Sequence, residues 1–147
     1  MTAKEYLSRL RTLEIRMTSS ANEIENLTNI ATSITSAINS DGIHTTGTTS
    51  DKLGNCVARI VDIQREINAD VDEYSRLRKE TIDLIDELPT VKHRELLRMR
   101  YVGNMTFEQI AIAMDMSWRH TVRLHGYALR EFGEKNRDFL KKTQKNL

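Results

Sequence analysis

The sequence is poor in residues that punctuate or staple a fold. Proline occurs once, at Pro89, and glycine six times in 147 residues, so little interrupts a helix over most of the chain. Cysteine also occurs once, at Cys56, within an apolar helical pattern. No disulfide framework or cysteine-rich zinc site can therefore form inside the chain, and a reducing cytoplasm is the natural compartment. No run of eighteen apolar residues exists, and the opening MTAKEYLSRL is amphipathic rather than a charged cap on an apolar core. Neither a membrane span nor a secretory signal is expected.

Catalytic signatures are missing too. The chain has no glycine-rich phosphate loop, no nucleophile elbow, no dinucleotide fingerprint and no HExxH. His120 and His125, five apart, fall on different helix faces, and no carboxylates cluster with them or with His93. We expect no catalytic residue, no metal and no cofactor, hence no enzyme. His125 reads as a packing residue and His120 as a phosphate or base contact. Met99, Met105, Met114 and Met116 read as core filler.

What the sequence does have is charge, unevenly placed. Residues 1–88 hold ten Lys/Arg against fifteen Asp/Glu, a net of −5, whereas residues 89–147 hold twelve against six, a net of +6. The formal total of +1 hides this division, which points the C-terminal part alone toward a polyanion.

The apolar residues are just as organised. From Ala3 to Ile38 they step by three and four through Tyr6, Leu10, Leu13, Met17, Ile24, Leu27, Ala31 and Ile34, with Ser20 the one polar break, which is a heptad seam. Residues 39–50, NSDGIHTTGTTS, are rich in turn formers and predict a loop, with helix resuming at about Asp51. A second, wider stripe runs from Leu53 through Cys56, Val57, Ile60, Ile63, Ile67, Val71, Tyr74, Leu77, Leu84 and Ile85 to Leu88, with Asp70 and Thr81 as polar exceptions. Two matched helices joined by about a dozen residues fold back most simply as an antiparallel hairpin. The second stripe is wider than one partner helix can cover, so either the hairpin packs on the C-terminal domain or copies associate through it, a homo-oligomer with a dimer favoured.

Pro89 disfavours helix at Leu88 and marks the joint between hairpin and head. A helix carrying Leu96, Leu97, Tyr101 and Val102 follows and ends at Gly103-Asn104. In TFEQIAIAMDMSWRHTVRLHGYAL, residues 106–129, Thr106 and Gln109 have the spacing of a capping box, and Ile110, Ala111 and Met114 share a face. Met114-Asp115-Met116 is long enough only for a turn, and Ser117 caps a further helix whose inner side is Thr121, Leu124, His125 and Ala128. Two short helices joined by about three residues cross steeply, as in a helix-turn-helix, and small Ala111 lets them approach. The residues left outside are Ser117, Trp118, Arg119, His120, Val122, Arg123 and Gly126, and they are the expected contacts to duplex DNA. Arg119 and Arg123, four apart, can each pair bidentately with guanine or bind phosphate, and Trp118 can pack on a sugar or a thymine methyl.

The fold expected is therefore all-α: a hairpin over 1–88 with its loop at 39–50, a three-helix helix-turn-helix domain over 89–133, and a basic tail over 134–147. That tail either tracks phosphate or is a frayed end.

The stretch LLRMRYVGNMTFEQIAIAMDMSWRHTVRLHGYAL resembles region 4 of bacterial sigma factors, and more closely the ArpU/RinA-type regulators of phages and prophages of Gram-positive bacteria. Leu97, Arg100, Tyr101, Ile110, Ala111, Ser117, Arg123-Leu124-His125-Gly126 and Ala128-Leu129 carry the resemblance. Asp115 stands where such motifs usually have Gly, and Thr121 where an aliphatic residue is usual. The resemblance implies a sequence-specific activator of late phage genes in the bacterial host cytoplasm. Two alternatives stay open: a small terminase-like DNA-packaging subunit, and a head that binds RNA polymerase, as sigma region 4 also does.

Overall fold

The computed structural model describes residues 1–41 and 47–146. The protein is all-α: a long antiparallel pair, α1 (Ala3–Asp41) and α2 (Gly47–Asp86), then α3 (Val91–Leu97), α4 (Phe107–Ala113), α5 (Trp118–Lys135) and α6 (Arg137–Lys145). Its packing divides into two compact units that share α1 and α2: residues Met1–Leu13 with Tyr74–Leu147, and residues Glu14–Glu73.

In the first unit, the seam of α1 is fully covered. Tyr6, Leu7, Leu10 and Leu13 join Leu77, Ile85, Leu88, Leu96, Leu97, Ile110, Ala128, Phe132 and Leu140 in one core. Tyr6 is the hub. Its ring stacks on Phe132 of α5 with centroids 6.2 Å apart and meets Phe139 of α6 edge-on at 5.3 Å. Its hydroxyl donates to Glu80 Oε1 of α2 at 2.6 Å, and burial together with that carboxylate pushes the phenol pKa up, against the Thr81 hydroxyl, which lowers it. One side chain thus ties four helices together.

The C-terminal residues belong to this core. Glu134 and Lys135 complete α5, and residues 137–145 form α6, with Leu140 buried; among the described residues the basic tail is an ordered helix, not a frayed end. Phe139 and Leu140 are the only apolar residues of α6. Tyr6, distant in sequence, supplies the surface they pack on.

In the second unit, the same heptad positions are only half-buried. Met17, Ser20, Ile24, Leu27, Ala31, Ile34 and Ile38 of α1, and Leu53, Cys56, Ile60 and Ile67 of α2, are partly covered, while Ile63 is fully buried. Each helix here has a single partner, and one helix covers only a narrow stripe. The polar exception Asp70 is matched by Arg16, whose Nε donates to Oδ2 at 2.7 Å and whose Nη2 pairs with Oδ1. Arg59 reaches Glu23 across the pair at 3.2 Å.

Helix extends further into the expected loop than the composition indicates. α1 includes Asn39, Ser40 and Asp41, and α2 begins at Gly47; the part of that loop at 42–46 lies outside the described residues. Hydroxyl-rich α1 stays helical because its side chains bond back to their own carbonyls: Thr28 to Ile24 and Thr32 to Thr28 at 2.8 Å, Ser33 to Asn29 and Thr35 to Ala31 at 2.9 Å. The seam also continues through Ile38 and, on α2, through half-buried Thr49, so packing overrides weak propensity.

α2 ends before Pro89, and a sharp turn leads to α3. Thr90 precedes α3 in extended conformation but gives its hydroxyl to Glu131 Oε1 of α5 at 2.7 Å, and His93 Nδ1 meets Oε2 of the same carboxylate at 2.6 Å. Burial raises the Glu131 pKa, but the bonds from Thr90 and His93 outweigh it and hold the carboxyl below its ordinary value. α3 runs on into a wider π-turn over Arg98–Val102, closed by Gly103 N donating to Arg98 O at 2.9 Å. A side chain at Gly103 would sit 2.9 Å from Met99 O, and Asn104, at φ 53°, then takes the left-handed position that reverses the chain.

Candidate nucleic-acid interface

The helix-turn-helix forms as its caps dictate. Thr106 Oγ1 accepts from Gln109 N at 3.2 Å while Gln109 Oε1 accepts from Thr106 N at 2.9 Å, a complete capping box at the start of α4. α4 ends after Ala113, and Asp115 takes φ 52°, the left-handed geometry a turn of this kind needs where glycine is absent. Ser117 then caps α5 by accepting from His120 N at 3.1 Å.

Ile110 and Ala111 of α4 and Thr121 and Ala128 of α5 are all buried. Thr121 is completely covered despite its hydroxyl, because Oγ1 donates to Ser117 O at 3.0 Å and leaves only the methyl to pack. The aliphatic residue usual at this place is therefore replaced without an orphaned polar group.

His125 sits on the inner flank of α5. Its Nε2 is 2.9 Å from the Tyr101 hydroxyl, its ring stacks on Tyr101, and Phe107 meets it edge-on at 5.0 Å. Burial, then the positive charges of Arg100 and Lys4, lower its pKa to about 4, so the imidazole is neutral at pH 7.

Every residue expected to meet DNA lies on the accessible side of α5 or at its start. Ser117, Trp118, Arg119, His120, Arg123 and Gly126 are exposed and Val122 is half-buried. The Trp118 indole is 52% exposed, unusual for a large aromatic side chain. Arg119, Arg123 and Gly126 line up along one stripe, and sequence reasoning stopped one step short of its continuation at exposed Arg130, with Tyr127 beside it. The repeat of three and four that joined the first three residues extends to the fourth. Arg119, Arg123 and Arg130 have no ion-pair partner among the described residues.

Gly126 has no internal purpose. A side chain there would meet nothing within 4 Å, and glycine inside a helix costs about 1 kcal/mol relative to alanine. Its one structural consequence is a bare strip of backbone on the outer face, between two arginines.

Among the described residues, no three His, Cys, Asp or Glu side chains are grouped to hold a metal ion, and no helix is long and apolar enough to cross a membrane. Residues 33–133 match the model of a family described as protein of unknown function (DUF1492), just over two thirds of the chain, and the chain belongs to that family. No curated protein and no solved structure matches it.

Proposed function

We propose that this DUF1492 member is a sequence-specific, duplex-DNA-binding transcriptional regulator of phage or prophage origin, of the ArpU/RinA late-gene activator type, working in the cytoplasm of a bacterial host. One observation carries the proposal: the exposed face of α5, where unpaired Arg119, Arg123 and Arg130 flank a glycine with no packing role, behind a turn held by two side-chain caps. In this reading the start of α5 enters the major groove. Arg119 or Arg123 reads guanine bidentately, Trp118 packs against sugar or a thymine methyl, His120 and Ser117 contact backbone or base edges, and Gly126 lets the helix approach closely. The net charge of +6 over residues 89–147 supplies the salt-sensitive, sequence-independent part of the affinity.

The second unit serves, in the same proposal, to pair copies, with a dimer as the expected state. Its seam is half-covered, and Val57, Val61 and Val71 form a further exposed apolar stripe on α2. Between Asn26 and Ala58 the charged residues are Asp41, Asp51 and Lys52 alone. The part of the unit within that window can meet its own copy without setting like charges together, and two copies side by side cover what one helix pair leaves open.

A second reading, a head that binds RNA polymerase, draws on the exposed Ile112 of α4, 83% accessible, and on Trp118. Selecting bound fragments from the genome that encodes the protein, then footprinting them, tests the first reading. Enrichment of a short, two-fold related site is the expected result. Recovery of no fragment at any salt concentration, with capture of the polymerase, would favour the second.

A further inference from the structure

The first unit contains a cavity of about 240 Å³ that the helix-turn-helix reading does not use. Lys4, Ser8 and Arg11 line one side, spaced by four and three along α1 and so sharing a face; Arg100 and Tyr101 from the π-turn and Val122 and His125 from α5 are among the residues that line the rest. The lining holds three permanent cations and no carboxylate. None of the three has an ion-pair partner among the described residues, and Glu5, adjacent in sequence, is engaged as acceptor for the Thr2 backbone N–H at 2.7 Å.

Gathering three like charges around a concavity costs Coulomb energy, and among the described residues no carboxylate pairs with any of the three. Arg100 is moreover fixed in place: its Nη1 donates to Met105 O at 2.9 Å and its guanidinium lies 4.4 Å from the centre of the Phe107 ring. A guanidinium has five N–H donors, so others remain for a guest. Tyr101 and His125 add a hydroxyl and an imidazole to the wall.

We propose that this cavity binds a phosphate group, held by Lys4, Arg11 and Arg100. A phosphate, with several acceptor oxygens in a tetrahedral arrangement, matches three convergent cations better than a planar carboxylate does, whether it is a singly charged diester or a doubly charged monoester. The group has two possible sources: a backbone phosphate of the duplex, which rests on the function proposed above, or a free phosphorylated molecule, which does not. Val122, which lines the cavity and lies between Arg119 and Arg123 in sequence, puts the cavity at the edge of the proposed DNA face.

The test uses the full chain and the Lys4→Ala/Arg11→Ala double variant, whose side chains are exposed and whose loss leaves the core intact. The His125 ring is followed by NMR during titration with inorganic phosphate, and duplex binding is followed by fluorescence anisotropy at several salt concentrations. A free-phosphate site gives a saturable His125 shift and a raised His125 pKa in the wild type and neither in the double variant, whether or not the protein binds DNA. A backbone-phosphate site leaves the titration silent, but the double variant binds selected and random duplex equally more weakly, with a salt slope smaller by about one, for the one phosphate lost. A silent titration together with unchanged duplex affinity and salt slope would overturn the pocket while leaving the proposed function standing. A silent titration in a protein that binds no duplex would overturn both.

Discussion

The two units are built partly from the same two helices with the same apolar period, yet they end in different states. In the unit of Met1–Leu13 and Tyr74–Leu147, Tyr6, Leu10 and Leu77 are at most 1% exposed, whereas from Met17 to Ile38 every seam residue of the other unit remains half-covered. A heptad seam states which side of a helix faces a partner. The number of partners sets how deeply that side is buried, and it is written elsewhere in the chain, in Phe132, Phe139 and Leu140.

Truncating the ring on which the Tyr6 hub stacks separates the units most strongly. Phe132→Ala removes a fully buried ring stacked on Tyr6 and should destabilise the protein by about 3–5 kcal/mol in urea unfolding. Ile34→Ala, at a half-covered position, should cost about 1 kcal/mol in a dilute monomer, and more at concentrations where copies pair. Equal costs at all concentrations would remove the contrast on which the pairing rests.

Next in size is the polar exception that the second unit accommodates. Arg16→Ala leaves Asp70, 9% exposed, without its guanidinium and should cost about 1–3 kcal/mol. Arg16→Leu/Asp70→Leu should recover most of that loss. A double variant as unstable as the single one would mean that the pair contributes more than the burial it permits.

The first unit should in addition respond to acid through His125. Its folded pKa, about 4, lies below the ordinary 6.5. Between those values the unfolded chain takes up a proton that the folded one refuses, so stability present above pH 6.5 falls as pH drops and levels off below about 4. Allowing for partial exposure of the ring, the difference between wild type and His125→Gln should change by about 1–2 kcal/mol across that window in paired urea melts at pH 7 and 4. A parallel pair of profiles would contradict the buried neutral imidazole.

The smallest effect discriminates most finely between fold and function. Gly126→Ala should stabilise the protein by about 0.5–1 kcal/mol, since the added methyl meets nothing, and at the same time weaken duplex binding. Stabilisation with unchanged binding would take Gly126 out of the interface.

Local chemistry was legible in the sequence. The capping box at Thr106 and Gln109, the Ser117 cap, the inner and outer faces of α5 and the seam of α1 all follow from spacing and residue type, because each is set by residues four or fewer apart. Features made by distant residues were not legible. Nothing near residue 139 announces that Tyr6 will receive Phe139, and nothing near Lys4 announces Arg100. The grouping of the start of α1 with the helix-turn-helix, rather than with the remainder of its own helix, is of the same kind. Pro89 marks where the chain turns, but turning and packing are separate matters. α1 runs on to Asp41 for a related reason: Ser40, a loop former in isolation, gives its hydroxyl to Ala37 O of its own helix at 3.3 Å.

The central claim concerns the outer face of α5, and fluorescence anisotropy of a selected duplex with wild type and Arg119→Ala/Arg123→Ala tests it most directly. The account predicts wild-type binding that weakens steeply with salt, and a double variant that folds normally but loses about 1–3 kcal/mol on the selected site for the arginine that reads guanine, with less loss on random duplex. Wild-type and variant proteins that bind the duplex equally well, or a wild type that binds none at low salt, would contradict it.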